Sequence, residues 1–251
     1  MCWILLIAIG KGIIYVSANL FQGITTPVMM IGAFGPLVGA LFATYKEFGS
    51  GSILKFLRTF LDLRLGWKAY FFSLIIIVTC GGLAWIIPEF YGEERLPMLL
   101  PSIWLFFPNL LLMIFLGGGQ EEFGWRGYAL PRLENRLGLW KANIILGIIH
   151  GCWHIPLWFM EWTAQVYMPF IAFLLMTVGL AFIYSWILSL SGNKPFAGLF
   201  VHGLANGMLP LLPVIIFDLE SPQLRFWLFG AICFTVGLII TFYRKRFIII
   251  K

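Results

Sequence analysis

Long apolar runs follow one another almost from end to end of this chain, and charged residues are confined to the short stretches between them. Of its 251 residues, 61% are hydrophobic and 11% charged, whereas a soluble domain of such length carries about a quarter charged residues. A bilayer core offers backbone groups no water, so runs of this kind fold as helices that satisfy their own hydrogen bonds. The predicted class is an all-α polytopic membrane bundle, a single domain over residues 1–251. The net charge of +6 is distributed loop by loop, which speaks for membrane orientation and against a nucleic-acid partner. Cys2, Cys80, Cys152 and Cys233 lie in apolar segments without CxxC spacing, and they read as small hydrophobes rather than disulfides or a zinc site.

Eight spans are predicted: Met1 to Val16, Gly23 to Tyr45, Trp67 to Ile87, Ser102 to Leu116, Asn143 to Phe159, Met168 to Leu190, Phe196 to Phe217 and Leu224 to Tyr243. The first has no charged stretch before it and no small-residue cleavage site after it, so it does not read as a cleaved signal peptide. Between spans two and three, Ile53, Leu54, Leu57, Phe60 and Leu61 recur at helical spacing among Lys55, Arg58 and Arg64. That pattern predicts an amphipathic helix at the membrane surface over Ser50 to Lys68. Basic connections (Lys46 to Lys68, Arg126 to Lys141, Lys194, and Arg244-Lys245-Arg246) alternate with acid-rich ones (Glu89 to Arg95, Glu161, Asp218 to Arg225). The positive-inside rule then places both termini in the cytoplasm.

Charge inside such sequence is costly and marks function by default. Gly117-Gly118-Gly119-Gln120-Glu121-Glu122-Phe123-Gly124-Trp125-Arg126 puts two carboxylates and an arginine at the end of span four. On a helix Glu122 and Arg126 share a face, while Glu121 is rotated about 100° away. Arg126 is therefore expected to neutralise Glu122 and leave Glu121 free for chemistry. The three histidines of the chain all fall in predicted spans. His150 and His154 are four apart, and His202 lies four before Asn206, so each pair shares a helix face. Gly147-xxx-Gly151 and Gly203-xxx-Gly207 flank them and permit close helix approach. Without water, these polar groups find their partners in one another.

A carboxylate beside an imidazole can hold and deprotonate water, and histidine and asparagine donors can stabilise an oxyanion. The set suits amide hydrolysis. No GxSxG elbow and no HExxH motif is present, which disfavours a covalent serine route and a familiar zinc-protease motif. Two or three histidines with a glutamate still form a set that zinc accepts.

Glu121-Glu122-xxx-Arg126, a histidine motif ending at His154, and His202-xxx-Asn206, in this order on separate spans, resemble the CAAX-protease and bacteriocin-processing family of intramembrane endopeptidases. The resemblance implies a catalytic core over about residues 102–217. It implies that Glu121 and His154 activate water and that His202 and Asn206 hold the oxyanion, with Glu122, Arg126 and His150 in support. The family has an aromatic residue where this chain has His150. The resemblance implies membrane lipid and a membrane-associated peptide or prenylated protein as partners, and a role in CAAX-type, bacteriocin or surface-protein processing. No cofactor is expected, zinc is possible, and a metal would fall to Glu121, His154 and His202. The expected location is a bacterial plasma membrane, with the site cavity opening toward the cytoplasm. A proton-coupled transporter is an alternative, since membrane glutamate and histidine also relay protons. A non-catalytic immunity or adaptor protein is another.

Overall fold

A computed structural model describes residues 2–243, whose regular structure is all helical, with no strand among them. The basic triplet Arg244-Lys245-Arg246, used above for orientation, lies outside the described residues. In chain order the helices are α1 (Cys2–Gly10), α2 (Ala18–Ala33), α3 (Gly35–Phe48), α4 (Gly51–Arg58), α5 (Trp67–Ile86), α6 (Phe106–Phe115), α7 (Glu122–Gly124), α8 (Leu130–Trp153), α9 (Phe170–Leu190), α10 (Phe196–Met208) and α11 (Leu224–Phe242). The all-α bundle of an integral membrane protein is borne out.

Fewer helices reach crossing length than the eight spans expected. Among the described residues, four helical stretches are long and apolar enough: Trp67–Tyr91, Ile103–Phe159, Phe170–Leu190 and Leu224–Phe242. The pair Pro27–Ala33 and Gly35–Phe48, bent by 43°, makes a fifth if read as one span. Pro36 at the start of α3 explains the bend, because proline opens a helix and cannot continue one. Expected spans four and five fall within the one long stretch, which is interrupted between α6 and α8. The expected seventh span ends early: α10 has 13 residues, about 20 Å at helical rise against a hydrocarbon core of about 30 Å. Pro210 and Pro213 follow it.

The amphipathic surface helix is also shorter than its pattern suggests. After α4 the chain makes one 3₁₀ turn, Thr59–Leu61, and leaves helix. Asp62 stops it: its Oδ1 accepts from the Arg64 backbone N–H at 3.1 Å, an Asx turn that competes with helix. Lys194, in the turn between α9 and α10, reaches Asp62 Oδ2 at 3.1 Å and pins the segment.

At the centre stands α9, most of it buried between α8 and α11. Gly147 and Gly203, beside the histidines, are points of close helix approach. A Cβ on Gly147 would lie 2.5 Å from the Val178 Cα of α9, and one on Gly203 would lie 2.6 Å from the Ile114 Cα of α6. The histidine-bearing helices α8 and α10 are thus seated by contacts that no larger residue permits. A smaller core of Trp3, Leu6, Leu157 and Met160 fixes α1 beside the end of α8. All four cysteines are free; Cys80 and Cys233 are buried as expected, whereas Cys152 is exposed.

Candidate active site

The acidic motif sits where a helix stops inside the bundle. α6 ends at Phe115 and Gly118 takes φ 123°, a conformation that side chains avoid. The chain then makes a 3₁₀ turn over Gly119–Glu121, the short α7, and a π-helical turn over Trp125–Ala129 before α8 begins. The broken end is tied off by polar side chains. Gln120 Oε1 accepts from the Gly118 N–H at 2.9 Å, and Asn206 Nδ2 donates to the Gly117 carbonyl at 2.7 Å. Backbone groups freed at membrane depth need such partners.

Glu121, Glu122, Arg126, His150 and His202 are all buried. Arg126 Nη1 donates to Glu122 Oε1 at 2.8 Å, the ion pair expected from the four-residue spacing, with both side chains 0% exposed. The same Oε1 lies 2.7 Å from His202 Nδ1. A carboxylate paired with arginine accepts only, so Nδ1 carries the proton and the neutral ring keeps its lone pair on Nε2. Tyr184 stacks beside His202, ring centroids 5.6 Å apart, and under the Arg126 guanidinium at 4.7 Å.

Glu121 Oε2 meets His150 Nε2 at 3.2 Å and accepts from Trp125 Nε1 at 3.3 Å. The expected partner, His154, stands one turn further on, with its Nδ1 donating to the His150 carbonyl at 2.9 Å. Its ring is 5.2 Å from that of His150 and 6.1 Å from that of Trp3 on α1. Glu121, His150 and His202 each offer a ligand atom within 4.8 Å of one another. The trio that could hold a metal therefore contains His150 where the sequence reading had His154.

A cavity of about 370 Å³ adjoins the polar cluster, with His150, His154, His202 and Asn206 in its wall. The rest of the wall is apolar and includes Met113, Met176 and Leu180. It extends to Leu99, Gln165, Pro210 and Phe217, which belong to the three acid-rich connections. α8 carries its histidines at its C-terminal end, so the cavity lies beside those acid-rich segments rather than beside the basic connections.

Trp125, Tyr184, Gly118 and Gln120 were missed as site residues. Trp125 lies four after Glu121, the same spacing that found Glu122 and Arg126. Tyr184 lies deep within α9 rather than near a helix end, and an intramembrane hydroxyl there was a usable signal. Gly118 was legible only as part of a glycine triplet: a Cβ on it would lie 2.5 Å from Asn206 Nδ2 and 2.7 Å from His202 Nε2.

Residues 103–208, the stretch carrying all of these histidines and both glutamates, match the family model of type II CAAX prenyl endopeptidase Rce1-like proteins. Over 55 residues the chain is 44% identical to a CAAX prenyl protease 2 of Methanococcus maripaludis, a stretch covering 22% of this chain and 20% of that protein. The aligned part thus spans about a fifth of that relative's length. Both findings support the CAAX-protease resemblance read from the motifs.

Proposed function

We propose that this chain, whose residues 103–208 match the family model of Rce1-like type II CAAX prenyl endopeptidases, hydrolyses a peptide bond of a membrane-associated protein or peptide from within the membrane. The catalytic core is residues 102–217 or so, in a bacterial plasma membrane. The carrying observation is the buried Glu121 carboxylate, hydrogen-bonded to an imidazole and beside a cavity lined by three histidines and an asparagine.

Glu121 takes a proton from water, whose oxygen attacks the scissile carbonyl carbon. His150, bonded to that carboxylate, and His154, lining the cavity one turn away, are the imidazoles that relay the proton to the leaving amine as the C–N bond breaks. Asn206 holds one amide hydrogen on Gly117 and has a second to offer the oxyanion. His202 lines the same cavity beside Asn206. Glu122 and Arg126 hold His202 in place.

One observation favours a second, metal-assisted reading. His202 presents its Nε2 lone pair while its Nδ1 is backed by a carboxylate, the arrangement typical of histidines that ligate zinc. Glu121, His150 and His202 fit zinc's ligand preferences and leave a fourth position open. Bound there, zinc would supply Lewis-acid polarisation of the carbonyl or of water.

Mass spectrometry of membrane peptides from cells carrying the wild-type chain or Glu121→Gln tests the endopeptidase reading. Truncated products present only with the wild type are expected; identical peptide sets would sink it. Metal analysis of the purified protein separates the two mechanisms: stoichiometric zinc that is lost with His202→Ala selects the second, and absence of metal at full activity selects the first.

A further inference from the structure

We infer that a second cavity, beside the short helix α7, binds an anionic phospholipid, with one acyl chain among its leucines and phenylalanines and the phosphate at Arg58. This cavity shares no lining residue with the one beside the histidines. Its occupation stands on geometry and charge, whatever reaction the chain performs.

The cavity holds about 410 Å³, inside the range of about 300–1,000 Å³ for ligand sites. Its wall is apolar but for one side chain. Leu54, Leu57 and Leu61 recur every three or four residues along α4 and the 3₁₀ turn after it, so they face the same way. Leu54 and Leu61 are 55% and 73% exposed, so the protein itself covers little of them. Across from them stand Phe115 at the end of α6, Phe123 of α7 and Phe196 at the start of α10. Phe115 closes a helix of ten residues, half of a bilayer core in length, so the wall joins the amphipathic segment to hydrocarbon depth. An acyl chain is the apolar partner that a membrane supplies to such a wall.

Arg58 is the polar exception in the wall. It lies four residues after Leu54 on the same helix face, is exposed, and has no ion pair among the described residues. Neighbouring bases are engaged: Arg64 holds Asp62 at 2.9 Å, and Lys194 reaches the same carboxylate at 3.1 Å. Arg58 therefore keeps its charge for a ligand. A guanidinium takes phosphate through two parallel hydrogen bonds, and a phospholipid carries a phosphate at the head of its apolar chains. A headgroup without a cation of its own is favoured, because choline brings a positive charge up to the arginine. Phe60 connects this cavity to the glutamates. Its ring stacks on that of Phe123, the neighbour of Glu122, with centroids 3.9 Å apart, and it packs so closely on Gly127 of the π-helical turn that a Cβ there would collide with it. A chain lodged against Phe60 and Phe123 steadies the turn that aims Glu121 and Glu122.

Native mass spectrometry of the delipidated full chain, titrated with phosphatidylglycerol or with phosphatidylcholine of the same acyl chains, tests the site. One phosphatidylglycerol is expected to bind about fivefold more tightly than phosphatidylcholine, the contribution of one basic side chain near an anionic lipid surface. Arg58→Gln, at an exposed position, should fold and lose that preference. Lys68→Gln, which removes an exposed base outside the wall, should keep it. Leu54→Trp fills the cavity and should weaken the binding of both lipids. In nanodiscs, amide hydrogen exchange over residues 117–129 is expected to be slower with phosphatidylglycerol than with phosphatidylcholine in the wild type, and equal in Arg58→Gln. Equal affinities in the wild type, or an unchanged preference in Arg58→Gln, overturn the site. Exchange that ignores the lipid overturns its effect on the glutamates. Displacement of the bound lipid by a farnesylated peptide assigns the cavity to a substrate's own lipid, and a dimer mass in place of the lipid adduct assigns it to a second copy of the chain; either result overturns the phospholipid assignment. None of these measurements depends on cleavage, so an inactive protein defeats the endopeptidase reading and leaves this one standing.

Discussion

Glu121 makes its hydrogen bond with His150, at 3.2 Å, while His154 turns its Nδ1 to the His150 backbone carbonyl. The two imidazoles therefore differ in kind although they share a helix face. One is bound to the carboxylate, and the other lines the cavity with a lone pair on Nε2.

Substitution separates their roles. His150→Phe, which installs the aromatic residue typical of the family, should leave a folded protein with kcat lowered about 10²-fold, within the range for general acid–base groups. His154→Ala should cost as much or more. Peptide cleavage by the two purified variants measures this. Unchanged kcat in His150→Phe would leave His154 as the sole imidazole partner of Glu121 during turnover.

The Glu122–Arg126 pair is wholly buried, and Glu122 also anchors His202. Removing one member strands the other charge, which costs about 3–5 kcal/mol for a truly buried pair. Glu122→Gln should therefore lower both thermal stability and activity. The double change Glu122→Gln, Arg126→Gln should recover stability while activity stays low, because His202 has lost its anchor. Unfolding in detergent, followed with cleavage assays on all four proteins of the cycle, checks it. Glu121→Gln is expected to keep its fold and lose nearly all hydrolysis; a stable, inactive Glu122→Gln beside an active Glu121→Gln would reverse the two assignments.

Gly118→Ala places a methyl group against Asn206 and His202 at a residue with φ 123°. Both effects act on the same two side chains, so activity should fall by more than 10²-fold, given how steeply rate depends on placement. Gly49→Ala, at a positive φ with open space around the added methyl, controls for backbone strain alone. Comparable losses in the two variants would show that crowding at the site is not the cause.

How much of this could be read in advance depended on whether the local backbone was a regular helix. The Glu122–Arg126 pair lies on a short helical turn, and the four-residue rule found it. The glycines at 147 and 203 were found by the small-residue pattern and do make close helix contacts. The partner of Glu121 was missed because the chain from Gly118 to Ala129 passes through 3₁₀, α and π turns. A rotation of about 100° per residue holds only on α-helix, so the direction of the Glu121 carboxylate could not be projected. Span counting failed for a related reason. Hydropathy marks residues that avoid water without saying whether lipid or protein covers them, so the 13-residue α10, buried along its length, read as a full crossing. The cavity's direction depended on where α8 places its histidines relative to its ends, which loop charge alone does not reveal.

The break after α6 also sets an order of events during synthesis. The ten residues of α6 span about 15 Å, half of a bilayer core, so this segment has little hold on the membrane by itself. Its cut end is tied to Asn206, and Glu122 is tied to His202, which lies 80 residues later in the chain. At a synthesis rate of about 5–20 residues per second, those partners arrive about 4–16 s after the glutamates. Glu121 meets His150 after 29 residues, but until His202 arrives Glu122 and Arg126 wait at the membrane paired with one another. The catalytic centre is thus among the last parts of the protein to form, and a nascent chain halted before α10 would hold the acids without the means to use them.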